Sequence, residues 1–212
     1  MSTTGRRRMR QLAELLLERH SLYRGFRRLT GSGRLNREFV EKYVRPRDGD
    51  AILDIGCGPG DVCALMPRVR YTGLDPSPNY IAAAQRRFGN RAVFSCGGLA
   101  SFDGAAYGEF DAVMCMGVMH HLDDRQVLET LEKAKALLKR TGRFVSYEPC
   151  FTEPQHPIAR WIHKHDRGAF VRFDRHYERL ISTVFQRYRR DIRTDLCTVP
   201  ATVIIFECDG AA

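Results

Sequence analysis

No apolar stretch in this chain approaches the roughly 18 residues that a membrane-spanning helix requires. Arg6 to Arg10 precede only the brief run Leu15-Leu16-Leu17, too little apolar sequence for a secretory leader, so a cytoplasmic protein is expected. Seven cysteines are scattered without any C-x-x-C spacing, which leaves no legible zinc site and predicts reduced packing thiols. Internal repeats and low-complexity linkers are missing too. With 212 residues, the chain is long enough for one well-buried core and too short for two full domains with linkers.

Acidic residues are scarce in one region only. Residues 1–47 hold thirteen Arg and Lys against four Asp and Glu, while the rest of the chain carries twenty-one of each. The net charge of +9 is therefore that of an N-terminal arm attached to a neutral body. Such an arm can follow nucleic-acid phosphates, lie on an anionic membrane, attract an acidic small substrate, or simply form a solvated helix face.

The most informative sequence present is Asp54-Ile55-Gly56-Cys57-Gly58-Pro59-Gly60, preceded by the apolar run Ala51-Ile52-Leu53. It reads as a strand, a glycine turn and a helix start. Asp75 closes the next apolar run, nineteen residues after Gly56, close to the offset at which an acidic residue grips a ribose beside a glycine loop. Glycine permits close backbone approach to a ligand and a positive φ. The order is G-x-G-x-G with Asp61 following, whereas a dinucleotide fingerprint wants a third glycine at that position; a carboxylate there would meet the pyrophosphate.

Elsewhere the periodicity predicts an amphipathic helix over residues 8–24 and a second over Leu35–Val44. Strands are expected at Tyr71–Leu74, Ala92–Cys96, Phe110–Cys115 and Arg143–Glu148, with Phe110–Cys115 apolar enough to be buried on both faces. Pro67 shortens the helix after the glycine loop. Pro78 opens a helix that stops at Gly89-Asn90, and Asp123 or Asp124 caps one that runs to Gly142. A hairpin of Tyr188–Leu196 and Thr202–Cys208 closes the chain.

Asp54, the G-x-G-x-G loop and Asp75 together resemble class I S-adenosylmethionine-dependent methyltransferases, and the similarity extends over roughly half the chain. It implies an α/β, Rossmann-like, seven-stranded and mostly parallel sheet with a C-terminal antiparallel hairpin. It further implies one domain divided into a basic helical lid (1–47), a cofactor-binding core (48–149), a substrate-wall insertion (150–186) and a closing hairpin (187–212). S-adenosylmethionine is the implied cofactor and S-adenosylhomocysteine its product. The implied cofactor residues are Asp54, Gly56, Gly58, Asp75, Pro76, Gly98, Leu99, Met116 and Gly117, with Tyr23 and Arg37 reaching the cofactor carboxylate from the lid. Many relatives carry an acidic residue for the adenine amino group where this chain has Gly97-Gly98-Leu99. A backbone carbonyl, Asp103, or shape alone is left to read adenine.

In an open parallel sheet the carboxyl ends of the strands face the ligand. This places Met116-Gly117-Val118-Met119-His120-His121 and Glu148 at the site. Histidine titrates near neutrality and can take a proton from a hydroxyl or an amine, so His120 or His121 is a candidate base, with Glu148 as a second base or an orienting group. The alternative is that one histidine binds cofactor or backbone and the other starts a helix. The insertion combines aromatics with Arg160, Arg167, Arg172 and Arg175, a pairing that suits an acidic or phosphorylated small molecule, or a sugar precursor. Two further classes stand beside small-molecule methyl transfer to oxygen or nitrogen. One is a nucleic-acid methyltransferase using the basic arm, against which the [Asp/Asn/Ser]-Pro-Pro-aromatic motif is missing after the fourth strand; the other is a cofactor-binding protein without turnover.

Overall fold

The computed structural model describes residues 32–104, 108–166 and 168–210. The expected helix over 8–24, and with it Tyr23, lies outside the described residues. Helix α1 (Ser32–Glu38) runs into a π-helical turn, Phe39–Val44, and ends at Arg45 in the left-handed region. The strands are β1 (Ala51–Ile55), β2 (Arg70–Asp75), β3 (Ala92–Cys96), β4 (Phe110–Met116), β5 (Leu138–Phe151), β6 (Arg172–Phe173), β7 (Tyr188–Arg193) and β8 (Val203–Asp209). Between them lie α2 (Pro78–Phe88), α3 (Asp124–Ala136), α4 (Pro157–Lys164) and α5 (Asp174–Val184).

The sheet order is β3-β2-β1-β4-β5-β8-β7, parallel from β3 to β5 and antiparallel for β8 and β7. This is the expected Rossmann-like sheet with its closing hairpin. The two-residue β6, an addition to the seven, pairs with the end of β5.

Two hydrophobic clusters cover the two faces, and the period-2 alternation of strands sorts residues between them. Leu53, Val113 and Phe144 pack with Val127, Leu131 and Ile181 of α3 and α5. Their neighbours Ile52, Met114 and Val145 pack with Phe39, Val44, Ile81 and Ala84 from the N-terminal side and α2. Coverage on both sides is why β1 and β4 are nearly continuous apolar runs.

Start signals work as read. Ser77 accepts from the Tyr80 N–H with Pro78 in the first turn of α2, and Asp123 with Gln126 forms a capping box on α3. The helix expected after the glycine loop reduces to one 3-10 turn, Cys63–Leu65. Pro67 drives the preceding Met66 into extended backbone (φ −80°, ψ 140°), so no helix can propagate through it. β5 begins five residues before the expected Arg143, because α3 stops at Ala136 and a register shift between Phe110 and Ala112 lets Leu138 pair with β4.

Candidate active site

Parallel strands bring the ends of β1, β2, β4 and β5 to one edge of the sheet. At β1, the N–H groups of Gly56 and Cys57 both donate to the Leu74 carbonyl (2.8 and 2.9 Å), folding the loop over the end of β2. Gly56 has φ +75°, and a Cβ there would stand 2.3 Å from Val118 Cγ2, so only glycine lets the β1 and β4 loops meet. Gly58 (φ +53°) has nothing within 4 Å of where its Cβ would be. Its N–H donates to Asp75 Oδ2 at 3.0 Å.

Asp75 is buried, and its other oxygen accepts from the Ser77 N–H at 2.8 Å. Burial raises its pKa, and the two backbone donors only partly oppose that. A carboxylate has about four acceptor positions, so capacity remains for a ligand's hydroxyls. Open space beside Gly58 thus adjoins a carboxylate with acceptor positions to spare.

The remaining cofactor candidates divide by what their side chains touch. Asp54 is buried and takes the Tyr71 hydroxyl as partner. Pro76 and Gly98 are exposed, and Gly98 has open space on its Cβ side. Leu99 is committed to the core, which leaves only its backbone for a ligand. Met116 is half-buried, and the Gly117 N–H donates to the Tyr147 carbonyl at 2.8 Å. The Arg37 side chain is 65% exposed and pairs with Glu41 one turn away. An i, i+4 partner on a solvated face holds it there.

Glu148 lies in β5 one position beyond the last β4 pair, Met116–Tyr147, still paired with Ile204 of β8, and is fully buried. Its Oε1 accepts from the N–H groups of Val118 (3.0 Å) and Met119 (2.8 Å). Oε2 accepts from the His120 N–H (3.2 Å) and contacts His120 Nδ1 at 2.6 Å. This one carboxylate thus fixes the loop after β4 and also orients the His120 ring, with Nδ1 donating and Nε2 left as the basic nitrogen. Burial would lower the His120 pKa, but the hydrogen bond and charge of Glu148, with Asp166 adding, raise it above the ordinary value. His121 is exposed, its ring 4.1 Å from that of His120.

Two residues of the insertion complete the arrangement, and sequence reading missed both roles. Asp166 Oδ1 lies 3.4 Å from His120 Nε2. Between Asp166 and Phe170, Gly168 lies so close to His120 that a Cβ would stand 2.0 Å from His120 Cδ2, and the Phe170 N–H donates to the His120 carbonyl (2.9 Å). Arg172, read from sequence as one of the arginines suited to an anionic substrate, is buried instead. It donates to the carbonyls of Met119 (2.9 Å), Phe170 (3.0 Å) and Leu122 (2.7 Å), and it pairs with Asp124. Glu148 therefore takes the loop's N–H groups while Arg172 takes its carbonyls. An arginine set between Phe170-Val171 and Phe173 was the only signal in the sequence, and it did not reveal the partner.

The chain is similar to known proteins in sequence and in fold. Residues 52–142 match the methyltransferase domain family. A ubiquinone biosynthesis O-methyltransferase of Rhodopseudomonas palustris is 35% identical over 99 residues, 44% of this chain and 38% of that protein. A trans-aconitate 2-methyltransferase of Streptomyces avermitilis is 51% identical over 43 residues, 18% of this chain and 16% of that protein. The chain spans less than half the length of the curated relatives it matches. Among solved structures, geranyl diphosphate C-methyltransferase from Streptomyces coelicolor superposes with a TM-score of 0.64 at 15% identity, over 82% of this chain and 75% of that one. Its sheet order is that of the Rossmann-like methyltransferase folds, and residues 52–142, which hold the glycine loop, match a methyltransferase domain, so the chain is similar to the class I S-adenosylmethionine-dependent methyltransferases.

Proposed function

We propose that this chain binds S-adenosylmethionine between the glycine loop and Asp75 and transfers its methyl group to an oxygen or nitrogen of a small molecule. The observation that carries the reading is the Gly58 N–H to Asp75 contact at 3.0 Å beside open space, facing the same sheet edge as the His120–Glu148 pair. The bound cofactor would supply an electrophilic methyl on a sulfonium and a neutral thioether leaving group. Asp75 would accept from the ribose hydroxyls, and the backbone of Gly56, Gly58 and Gly117 would line the amino-acid end.

His120 is the base in this reading. Its Nε2 takes the proton of an acceptor hydroxyl as the methyl group arrives, or the proton of an acceptor ammonium beforehand, which frees the lone pair that attacks the methyl. Glu148 acts as a positioning residue, since all four of its contacts go to the loop and to Nδ1 and none is left for substrate. Asp166 stabilises the imidazolium that forms. The support for oxygen as acceptor is the core's similarity to ubiquinone biosynthesis O-methyltransferases. An anionic acceptor loses Arg172 as its partner, because that guanidinium serves the loop.

The test supplies methyl-labelled S-adenosylmethionine with a panel of hydroxylated and amino small molecules. Label moves to one acceptor class in the wild type. His120→Ala lowers kcat about a hundredfold or more, the scale of general-base catalysis, with cofactor Kd little changed. Unchanged kcat in that variant removes His120 as the base.

A further inference from the structure

Four large apolar side chains stand in solvent within one stretch of the insertion: Ile158 (51% exposed), Trp161 (62%), Phe170 (41%) and Phe173 (43%). The other large apolar residues exposed among the described ones, Val93, Ile192 and Val199, occur singly in separate segments. Scattered exposure is ordinary, whereas a cluster rimmed by polar groups marks a contact surface.

Helix α4 is built for this. Ala159 and His163, one turn apart, are its buried side. Helical spacing puts Trp161 opposite them, with Ile158 and Lys164 each three residues away and the His165 ring 4.5 Å from the indole. The Arg160 guanidinium lies 5.9 Å above the Phe151 ring, which in turn packs 5.5 Å from the Phe173 ring, so a row of contacts links α4 to β6. Residues 156–165 contain Arg160, Lys164 and three histidines, and not one carboxylate. Glu153 lies before this stretch; after it come Asp166, whose Oδ1 faces His120 Nε2 at 3.4 Å, and Asp174, paired with Arg190 at 3.5 Å.

We propose that this face docks the protein on an anionic lipid bilayer. An outward tryptophan with aliphatic and phenyl neighbours matches the headgroup boundary, where one side of a ring is apolar and the other wet. Lys and Arg place apolar stems against that boundary and their charges among lipid phosphates. A chain of net charge +9, with its excess in residues 1–47, is drawn to the same surface. The loop that continues from α4 holds Asp166 and Phe170 against His120, so docking sets the site described above beside the membrane, where a lipid-dissolved acceptor would arrive. The docking itself does not depend on methyl transfer.

Trp161 is the chain's only tryptophan, so its emission reports the patch directly. The full chain is titrated with vesicles of phosphatidylcholine alone and of phosphatidylcholine mixed with phosphatidylglycerol. Emission moves to shorter wavelength with the mixed vesicles, and binding to them is at least about tenfold tighter than to neutral ones, weakening with salt. Ile158→Ser combined with Phe173→Ser, both exposed in the wild type, weakens that binding about tenfold or more with unchanged far-ultraviolet circular dichroism. The proposal is overturned by an indole that does not respond to mixed vesicles, or by binding that persists undiminished in the double variant, which would assign it to the basic arm. A concentration-dependent shift without lipid, indicating a second copy of the chain on the patch, overturns it as well.

Discussion

Replacing Glu148 by Gln tests how the site is held. The wild-type carboxylate is fully buried and receives three backbone N–H groups and the His120 ring. An amide keeps one oxygen, which can still serve two of these donors. Its NH2 then faces the other two, so the His120 N–H loses its acceptor and the ring must change tautomer. A charge-assisted hydrogen bond contributes about 1.5–3 kcal/mol, and a buried donor left unpaired costs a further 1–3 kcal/mol or so. The expected loss is about 3–5 kcal/mol, a large part of a typical domain's stability. Urea unfolding at fixed pH measures it, with Glu148→Leu as a more severe variant that leaves all four donors unpaired.

The pH dependence of that loss has a definite sign. The folded pKa of His120 is raised above an unfolded value of about 6.5, so the stabilisation it contributes is fully present below the unfolded value and is lost as pH rises through the folded one. The gap between wild type and Glu148→Gln is therefore wider at about pH 6 than at about pH 9. A gap under about 1 kcal/mol, or one that widens with rising pH, would refute the assignment of Glu148 as the anchor of this loop.

Asp166→Asn removes a charge that raises the His120 pKa, so the limb of the kcat/KM profile that climbs with pH should move to lower pH. Gly56→Ala meets both a positive φ and Val118, and is expected to cost about 1–3 kcal/mol in unfolding and to weaken cofactor binding. Gly168→Ala would push the insertion loop off His120, where its Cβ overlaps ring and backbone. Turnover should fall more than thermal stability, read by comparing kcat with Tm.

The strands were legible because a sheet buried on both faces writes its core strands as unbroken apolar runs, as in Ala51-Ile52-Leu53 and Ala112-Val113-Met114-Cys115. The glycine loop and Asp75 were legible because both answer a local backbone demand at a fixed separation. The helix after the loop was overestimated: Pro67 acts on the residue before it as well as on its own position, and a segment this short has no room left for a turn of α-helix. Glu148 and Arg172 could be seen but not understood. Each binds a loop distant in sequence, and periodicity carries no information about which carbonyls or N–H groups a buried charge will meet. The contact of Asp166 with His120 was illegible for the same reason, since only the folded insertion brings it to the imidazole. Arg37, given a role by resemblance, has Glu41 as an i, i+4 partner that local spacing alone supplies.

The central claim is that the glycine loop and Asp75 form one cofactor cradle. Calorimetric titration of the wild type and Asp75→Ala with S-adenosylmethionine and S-adenosylhomocysteine tests it most directly. The account predicts saturable binding of both by the wild type, weakened at least about tenfold in the variant, because two hydrogen bonds to a charged acceptor disappear. Equal affinity in the two proteins, or no heat of binding in the wild type, would contradict it.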